Sequence, residues 1–239
     1  MESMELGHHI SQQFNAELEN VRNKVLTMGG LVEQQIVDAV KALVDNDSQL
    51  AETAISNDLK VNALEVAIDE ECSQILARRQ PTAGDLRLVV AIIKTITDLE
   101  RIGDEAEKIG HLSLHLSGME ANKQHFAAIQ HLGEHVHRMV RDALDAFARL
   151  DVEQAVTVAK VDDQIDDQYN GITRQLITYM MEDPRSISPS LDVMWAARAL
   201  ERIGDHAKNI CEYVIYLVKG KDVRHTSIEQ MEKAARRAD

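Results

Sequence analysis

The hexapeptide LERIGD stands twice in this chain, at Leu99–Asp104 and at Leu200–Asp205, 101 positions apart. A longer block repeats with it. MGGLVEQQIVDAVKALVDND (Met28–Asp47) aligns with LGEHVHRMVRDALDAFARLD (Leu132–Asp151) at an offset of 104. Gly29 then matches Gly133, Val32 matches Val136, Asp38 matches Asp142, Ala42 matches Ala146 and Asp47 matches Asp151. Asp58 falls on Asp162 in the same register. The change of offset means that the second copy lacks about three residues, most naturally at the proline-containing break before its last helix. A repeat of roughly 100 residues is too long for a solenoid unit and has the size of a small domain. The chain must therefore fold as two related halves.

Within each half, apolar residues recur at three- and four-residue steps, the pattern of amphipathic helices. The spacing predicts six: Leu6–Asp45, Ser48–Arg79 and Gly84–Leu116, then Lys123–Ala148, Val152–Met181 and Ser190–Lys219. The first carries Phe14, Leu18, Val21, Val25, Met28, Val32, Ile36 and Leu43 on one stripe. Gln80-Pro81 ends the second, because a residue before proline avoids helical angles. Three prolines and eleven glycines are too few for the turns of a sheet protein. The expected fold class is all-α: two tandem, sequence-related three-helix bundles, residues 1–118 and 119–220. The polar stretch 221–239 is expected to be loose or peripheral.

With 44% hydrophobic residues but only 3% aromatics, the core must be aliphatic. The net charge of −14 repels phosphate backbones and argues against nucleic-acid binding. Two cysteines, Cys72 and Cys211, are too few for a disulfide scaffold and have no metal-finger spacing. No apolar leader opens the chain, and the run LVVAII is far shorter than the ~18 residues of a membrane span. A soluble, cytoplasmic protein is expected, at most peripheral to a membrane complex.

In a helix, Glu100 and Asp104 share a face, as do Glu201 and Asp205. Like charges four apart repel, so an arginine, open solvent or a cation must offset them. Arg101 and Arg202 are adjacent to those glutamates and are expected to reach another helix instead. The pairs lie beside the apolar stripe, so any site there is a surface or groove site. Gly103 and Gly204 each cost ~1 kcal/mol against alanine in a helix, which points to close helix approach. That approach would bring Asp58, Asp162 and Asp166, and Asn62, from the preceding helix. An all-oxygen set of this kind suits Mg, Mn, Ca or iron, and not a structural tetrahedral zinc. A solvated acidic face is the competing reading.

Other patterns lead nowhere. Glu134-x-x-His137 and Glu5-x-x-His8 resemble half of a di-iron site, but the repeat reproduces neither. His111/His115 and His131/His135 lack a third ligand. No phosphate-loop, nucleophile-elbow or H-E-x-x-H motif occurs, and no enzyme is expected.

Taken together and in order, FNAELE, MGGLVEQQ, AIDEEC, RRQPTAGDLRLV, LERIGDEAEKI, LDAFARLD, RQLITYMMED, LERIGDHAKNICEYVIYLVKG and RHT resemble the PhoU family of phosphate-transport accessory proteins. The resemblance implies a cytoplasmic negative regulator of the phosphate-starvation response and of phosphate uptake. It implies an adaptor between a phosphate ABC transporter subunit and a sensor histidine kinase, and homodimers. It implies metal at the E-x-x-x-D positions, here Glu100, Asp104, Glu201 and Asp205, as multinuclear iron or zinc or another divalent cation. A metal-binding sensor whose sites gate partner docking is the alternative. One departure matters: Glu107 in the first repeat is Lys208 in the second, so the two sites are expected to be unequal.

Overall fold

Val21, Val25, Met28, Val32, Ile36 and Leu43 are all buried, and that stripe holds helix α1, Glu2–Asp45, against its neighbours. The structure is a computed structural model describing residues 2–79, 81–118 and 123–236, with side chains described for 12–79, 81–118 and 126–236. Gln80, Glu5 and His8 therefore lie outside the residues or side chains described. The chain continues as α2 (Ser48–Arg79), α3 (Ala83–Leu116), α4 (Lys123–Arg149), α5 (Val152–Ala159), α6 (Asp162–Glu182), a 3₁₀ turn (Pro184–Ser186), α7 (Ile187–Lys219) and α8 (Ile228–Arg236). Among the described residues there is no strand.

The repeat is visible in the turns. Asn46 and Leu150, at equivalent positions, both take left-handed backbone, with φ 56° and 55°. Each is followed by an aspartate that caps the next helix: Asp47 Oδ1 accepts from Leu50 N at 3.0 Å, and Asp151 Oδ1 from Gln154 N at 2.9 Å. α7 starts three residues before its expected first residue, with Pro189 tolerated in its first turn. It ends on Gly220, φ 64°, a left-handed cap.

The fifth expected helix is interrupted at Lys160-Val161. VEQAVTVA is apolar on more than one side, with Val152, Ala155, Val156, Val158 and Ala159 all buried. The break lets α5 pack against α7 and also against α8. Within the tail, Ile228–Arg236 form α8, which docks at the periphery. Ile228, Met231 and Ala235 line one side of α8, Met231 and Ala234 are buried, and Val223 is buried ahead of them. Their three- and four-residue spacing is hard to see among so many charges. Lys160 and Glu232 join α8 to the end of α5.

Helices α1–α3 pack on one another, and α4–α7 do the same. The halves meet where equivalent helices pair, α3 along α7 and α1 along α4, and one apolar core runs through both. Contacts Asp98–His206, Glu105–Arg202 and His115–Asp192 make the α3/α7 pair antiparallel. No described helix is long and apolar enough to cross a membrane.

Candidate functional site

Gly103 sets the first site. A Cβ there would lie 3.0 Å from Asp58 Oδ1, 3.3 Å from Gln35 Oε1 and 3.3 Å from Val61 Cγ1, so its absence lets α2 and α3 close. That brings Asp58, only 4% exposed, under the acidic edge of α3. Carboxylate oxygens of Asp58, Asp104 and Glu107 lie within 4.8 Å of one another. Asp58 is held by Gln35 Nε2 at 3.4 Å and Asn62 Nδ2 at 2.7 Å. Gln35 also donates to the carbonyls of Ala54 and Gly103, while its own Oε1 is buried without a partner. Glu100 and Glu65 share this edge.

The electrostatics follow from the crowding. Burial, and then Asp58, raises the Asp104 carboxyl above its usual range. Burial followed by Asp104, Glu65 and Asp58 does the same to Glu100. Glu65 is raised by burial, then by Asp69 and Asp104. Several half-buried carboxylates without a bridging cation are destabilised relative to a cation-bound form. Hard oxygen donors at this separation fit a divalent cation.

The second site differs in the residues that matter for charge. Asp162, 3% exposed, receives Lys208 Nζ at 2.6 Å on Oδ2. Lys208 occupies the repeat position of Glu107, so a side-chain cation sits against the buried aspartate. Glu201 is buried and takes Arg198 Nη1 at 2.6 Å on Oε1, while Oε2 has no partner. Burial, then Asp205, pushes Glu201 up to about 7 against the pull of Arg198. Asp166, in the place of Asn62, is raised by burial and then by Asp162. Tyr169 replaces Glu65 and lies under the Arg198 guanidinium, 5.6 Å from ring centre to Cζ. Asp205 is exposed. Gly204 again permits the approach: a Cβ there would meet Ile165 carbons at 3.3 Å and Asp162 Oδ1 at 3.7 Å.

Arg202 reaches across to α3, 3.0 Å from the buried Glu105, which also accepts from Lys108 at 2.8 Å. Arg101 is exposed beside Glu100. The histidine patterns separate in space. His111 lies 3.5 Å from Glu107 while His115 lies 2.8 Å from Asp192. His137 approaches Glu33, its own repeat counterpart, at 3.5 Å, and Glu134 accepts from Gln130.

The sequence spacing missed two features. Glu65 carries no repeated acidic partner, so no periodicity marks it. Asp98, 3% exposed, accepts from His206 Nδ1 at 2.7 Å, Asn209 Nδ2 at 3.0 Å and Tyr213 Oη at 2.7 Å, locking α3 to α7. Those partners lie more than 100 positions away, beyond any local pattern. Glu107 was legible, standing at i+7 from Glu100 on the same face.

The PhoU domain family model matches residues 25–112 and 129–214. The chain is 57% identical over 226 residues to a protein of Pseudomonas putida named phosphate-specific transport system accessory protein PhoU homolog, covering 95% of this chain and 88% of that one. It is 50% identical over 236 residues to the Escherichia coli K12 protein named phosphate-specific transport system accessory protein PhoU, covering 98% and 96%. The crystal structure of PhoU from Pseudomonas aeruginosa superposes with a TM-score of 0.85 at 53% identity, over 87% of this chain and 100% of that one. The phosphate transport system regulatory protein PhoU from Streptococcus pneumoniae gives 0.82 at 31% identity, over 88% and 99%.

Proposed function

The chain belongs to the PhoU family, and from that premise we propose that it is a cytoplasmic accessory regulator of phosphate transport. Its near-full-length identity to proteins named for that role carries the reading. In this reading it restrains phosphate uptake and holds the phosphate-starvation response off when phosphate is plentiful. It acts as an adaptor, docking a phosphate ABC transporter subunit and a sensor histidine kinase, as a homodimer and not as a catalyst. The adaptor role is supported by an all-helical scaffold that offers faces for docking and by a sequence without a catalytic motif. Deletion in the native host with a phosphate-starvation reporter tests it. Constitutive expression at high phosphate is expected, restored by the wild-type gene; a reporter that stays repressed removes the reading.

A second reading concerns a metal ion, and the cluster of Asp58, Asp104 and Glu107 favours it. These three, with Glu100 at the edge, would hold a divalent cation such as iron or zinc, which would neutralise their mutual repulsion and tie α2 to α3. Lys208 already supplies that charge in the second repeat. Elemental analysis of protein purified without chelator separates this sensor reading from the plain adaptor.

A further inference from the structure

Trp195, the chain's single tryptophan, is 60% exposed on α7. Its setting is informative because the α3/α7 pair is internally two-fold. Position 195 is the repeat counterpart of Lys94, and Leu112 that of Tyr213. At the Lys94 end the groove between the helices is furnished from within. Lys94 Nζ lies 5.5 Å and 5.2 Å from the ring centres of Tyr213 and Tyr216. The chain after α7 then borders α7 near that end: Val223 is buried, and Arg224, His225 and Thr226 form one wall of a cavity whose other lining residues, Tyr213 among them, lie on α7.

At the Trp195 end the equivalent groove is lined by α3 and α7 alone. Its floor is Trp195, Leu112 and Ala199, its volume about 560 Å³, and its rim Lys108, His111, Arg198 and Arg202. Leu191 and Ile187, 38% and 43% exposed, extend the apolar row one and two turns ahead of Trp195. That i, i+4, i+8 row spans about 12 Å of helix and matches the anchor spacing of an amphipathic helix. The rim side chains are held in place from below. Glu105 anchors both Lys108 and Arg202, Glu201 anchors Arg198, and Glu107 lies 3.5 Å from His111. Lys108, Arg198 and Arg202 present half-exposed cationic heads over the buried carboxylates Glu105 and Glu201, while Glu107 offsets part of that charge beside His111, on a chain of net charge −14. Arginines and a tryptophan at one exposed groove are the residue types that dominate binding energy at interfaces.

We propose that this groove docks an acidic amphipathic segment of a partner protein. The partner's apolar side chains cover Trp195 and Leu112, and its carboxylates meet Lys108, Arg198 and Arg202. Charge complementarity selects the occupant. The chain's overall negative field disfavours a long polyanion, while a short acidic helix gains both the apolar floor and the cationic rim. The proposal rests on the adaptor reading, with this groove as the surface that holds one of its two partners.

The test is co-purification from the native host at high phosphate, using full-length tagged wild type, Trp195→Ala, Lys108→Glu and, as an exposed control on α2, Val66→Ala. Wild type and control are expected to recover the transporter subunit and the kinase. Both groove variants should lose one of them by about tenfold or more, with circular dichroism spectra and melting like wild type. In wild type, 0.5 M salt should weaken that same partner's recovery. If wild type recovers neither partner, the adaptor reading fails and takes the proposal with it. If wild type recovers both and the groove variants do equally well, the proposal alone fails. Loss with Trp195→Ala but not with Lys108→Glu overturns the acidic chemistry. Loss in the groove variants of a second, differently tagged copy of this chain, with both partners retained, makes the face a self-interface instead.

Discussion

Gly29 lies under Leu144 so closely that a Cβ on the glycine would stand 2.7 Å from Leu144 Cδ1. The repeat-related pair does the same: a Cβ on Gly133 would stand 2.8 Å from both Cγ1 and Cγ2 of Val40 and 3.3 Å from its Cβ. Two equivalent glycines thus receive two equivalent side chains where α1 crosses α4.

The two sites should respond differently to alanine. Leu144 offers only the ends of a flexible side chain and can swing aside, so the helix-propensity gain offsets much of the clash at Gly29. Val40 is β-branched and stiff, so Gly133→Ala should destabilise by roughly 1–3 kcal/mol. Urea denaturation of both variants checks this. Adding Val40→Ala to Gly133→Ala should recover part of the loss, and equal effects at both glycines would refute the account.

Leu150 holds a left-handed conformation that its counterpart Asn46 tolerates more easily. Its side chain is 37% exposed, so the apolar burial lost on replacement offsets part of the gain. Leu150→Asn is expected to stabilise by at most about 1 kcal/mol, the relief of left-handed strain exceeding the lost burial. Thermal melting measures it, and a drop in Tm would contradict the strain argument.

Asp98 satisfies three donors at once in the α3/α7 interface. Asp98→Ala leaves His206, Asn209 and Tyr213 without their acceptor and should cost roughly 3 kcal/mol. Tyr213→Phe removes one donor and should cost about 1–2 kcal/mol. A double-mutant cycle should show strong coupling; additive losses would mean that the hydrogen bonds are not a unit.

Glu107 and Lys208 should exchange the properties of the two acidic sites. Glu107→Lys is expected to abolish divalent-cation binding at the first cluster and to stabilise the metal-free protein, as Lys208 does beside Asp162. Lys208→Glu should add a second binding event. Equilibrium dialysis with Mn²⁺, with denaturation in chelator alongside, checks both. Wild-type binding by Glu107→Lys would exclude this cluster as the cation site.

Glu212 links stability to pH. Burial pushes its carboxyl up to about 7, well above its ordinary value, with Lys208 pulling the other way. A raised folded-state pKa means that the folded protein holds the proton more tightly than the unfolded chain. This group's favourable contribution is therefore complete at low pH and is lost as pH rises from the ordinary carboxylate range through about 7. Glu212→Gln removes the titration, so its stability relative to wild type should improve by roughly 1–3 kcal/mol between pH 5 and pH 8. A difference that is flat across that range would show that Glu212 ionises normally.

Much of the fold was legible because it is periodic and doubled. The stripe Val21, Val25, Met28, Val32, Ile36 predicted α1, and the repeat aligned Asp47 with Asp151, whose capping role only the hydrogen bonds to Leu50 and Gln154 show. Gly103 and Gly204 marked the close approaches that bury Asp58 and Asp162. The break in α5–α6 was hidden, because its apolar residues satisfy a helical period on either side of Lys160. The docked α8 was hidden by its charge.

By itself the sequence determined two copies of a three-helix pattern, their apolar faces and the unequal charges at positions 107 and 208. Those are local or register properties, carried by spacing along one chain. Only the tertiary structure decided which equivalent helices pair, that Asp98 gathers His206, Asn209 and Tyr213, and that Lys208 lands on Asp162. It also decided that Trp195 faces solvent while its counterpart Lys94 is half-buried against Tyr213 and Tyr216. These depend on how the faces of distant helices meet, and the antiparallel crossing of α3 and α7 sets those meetings, with no trace in residue spacing.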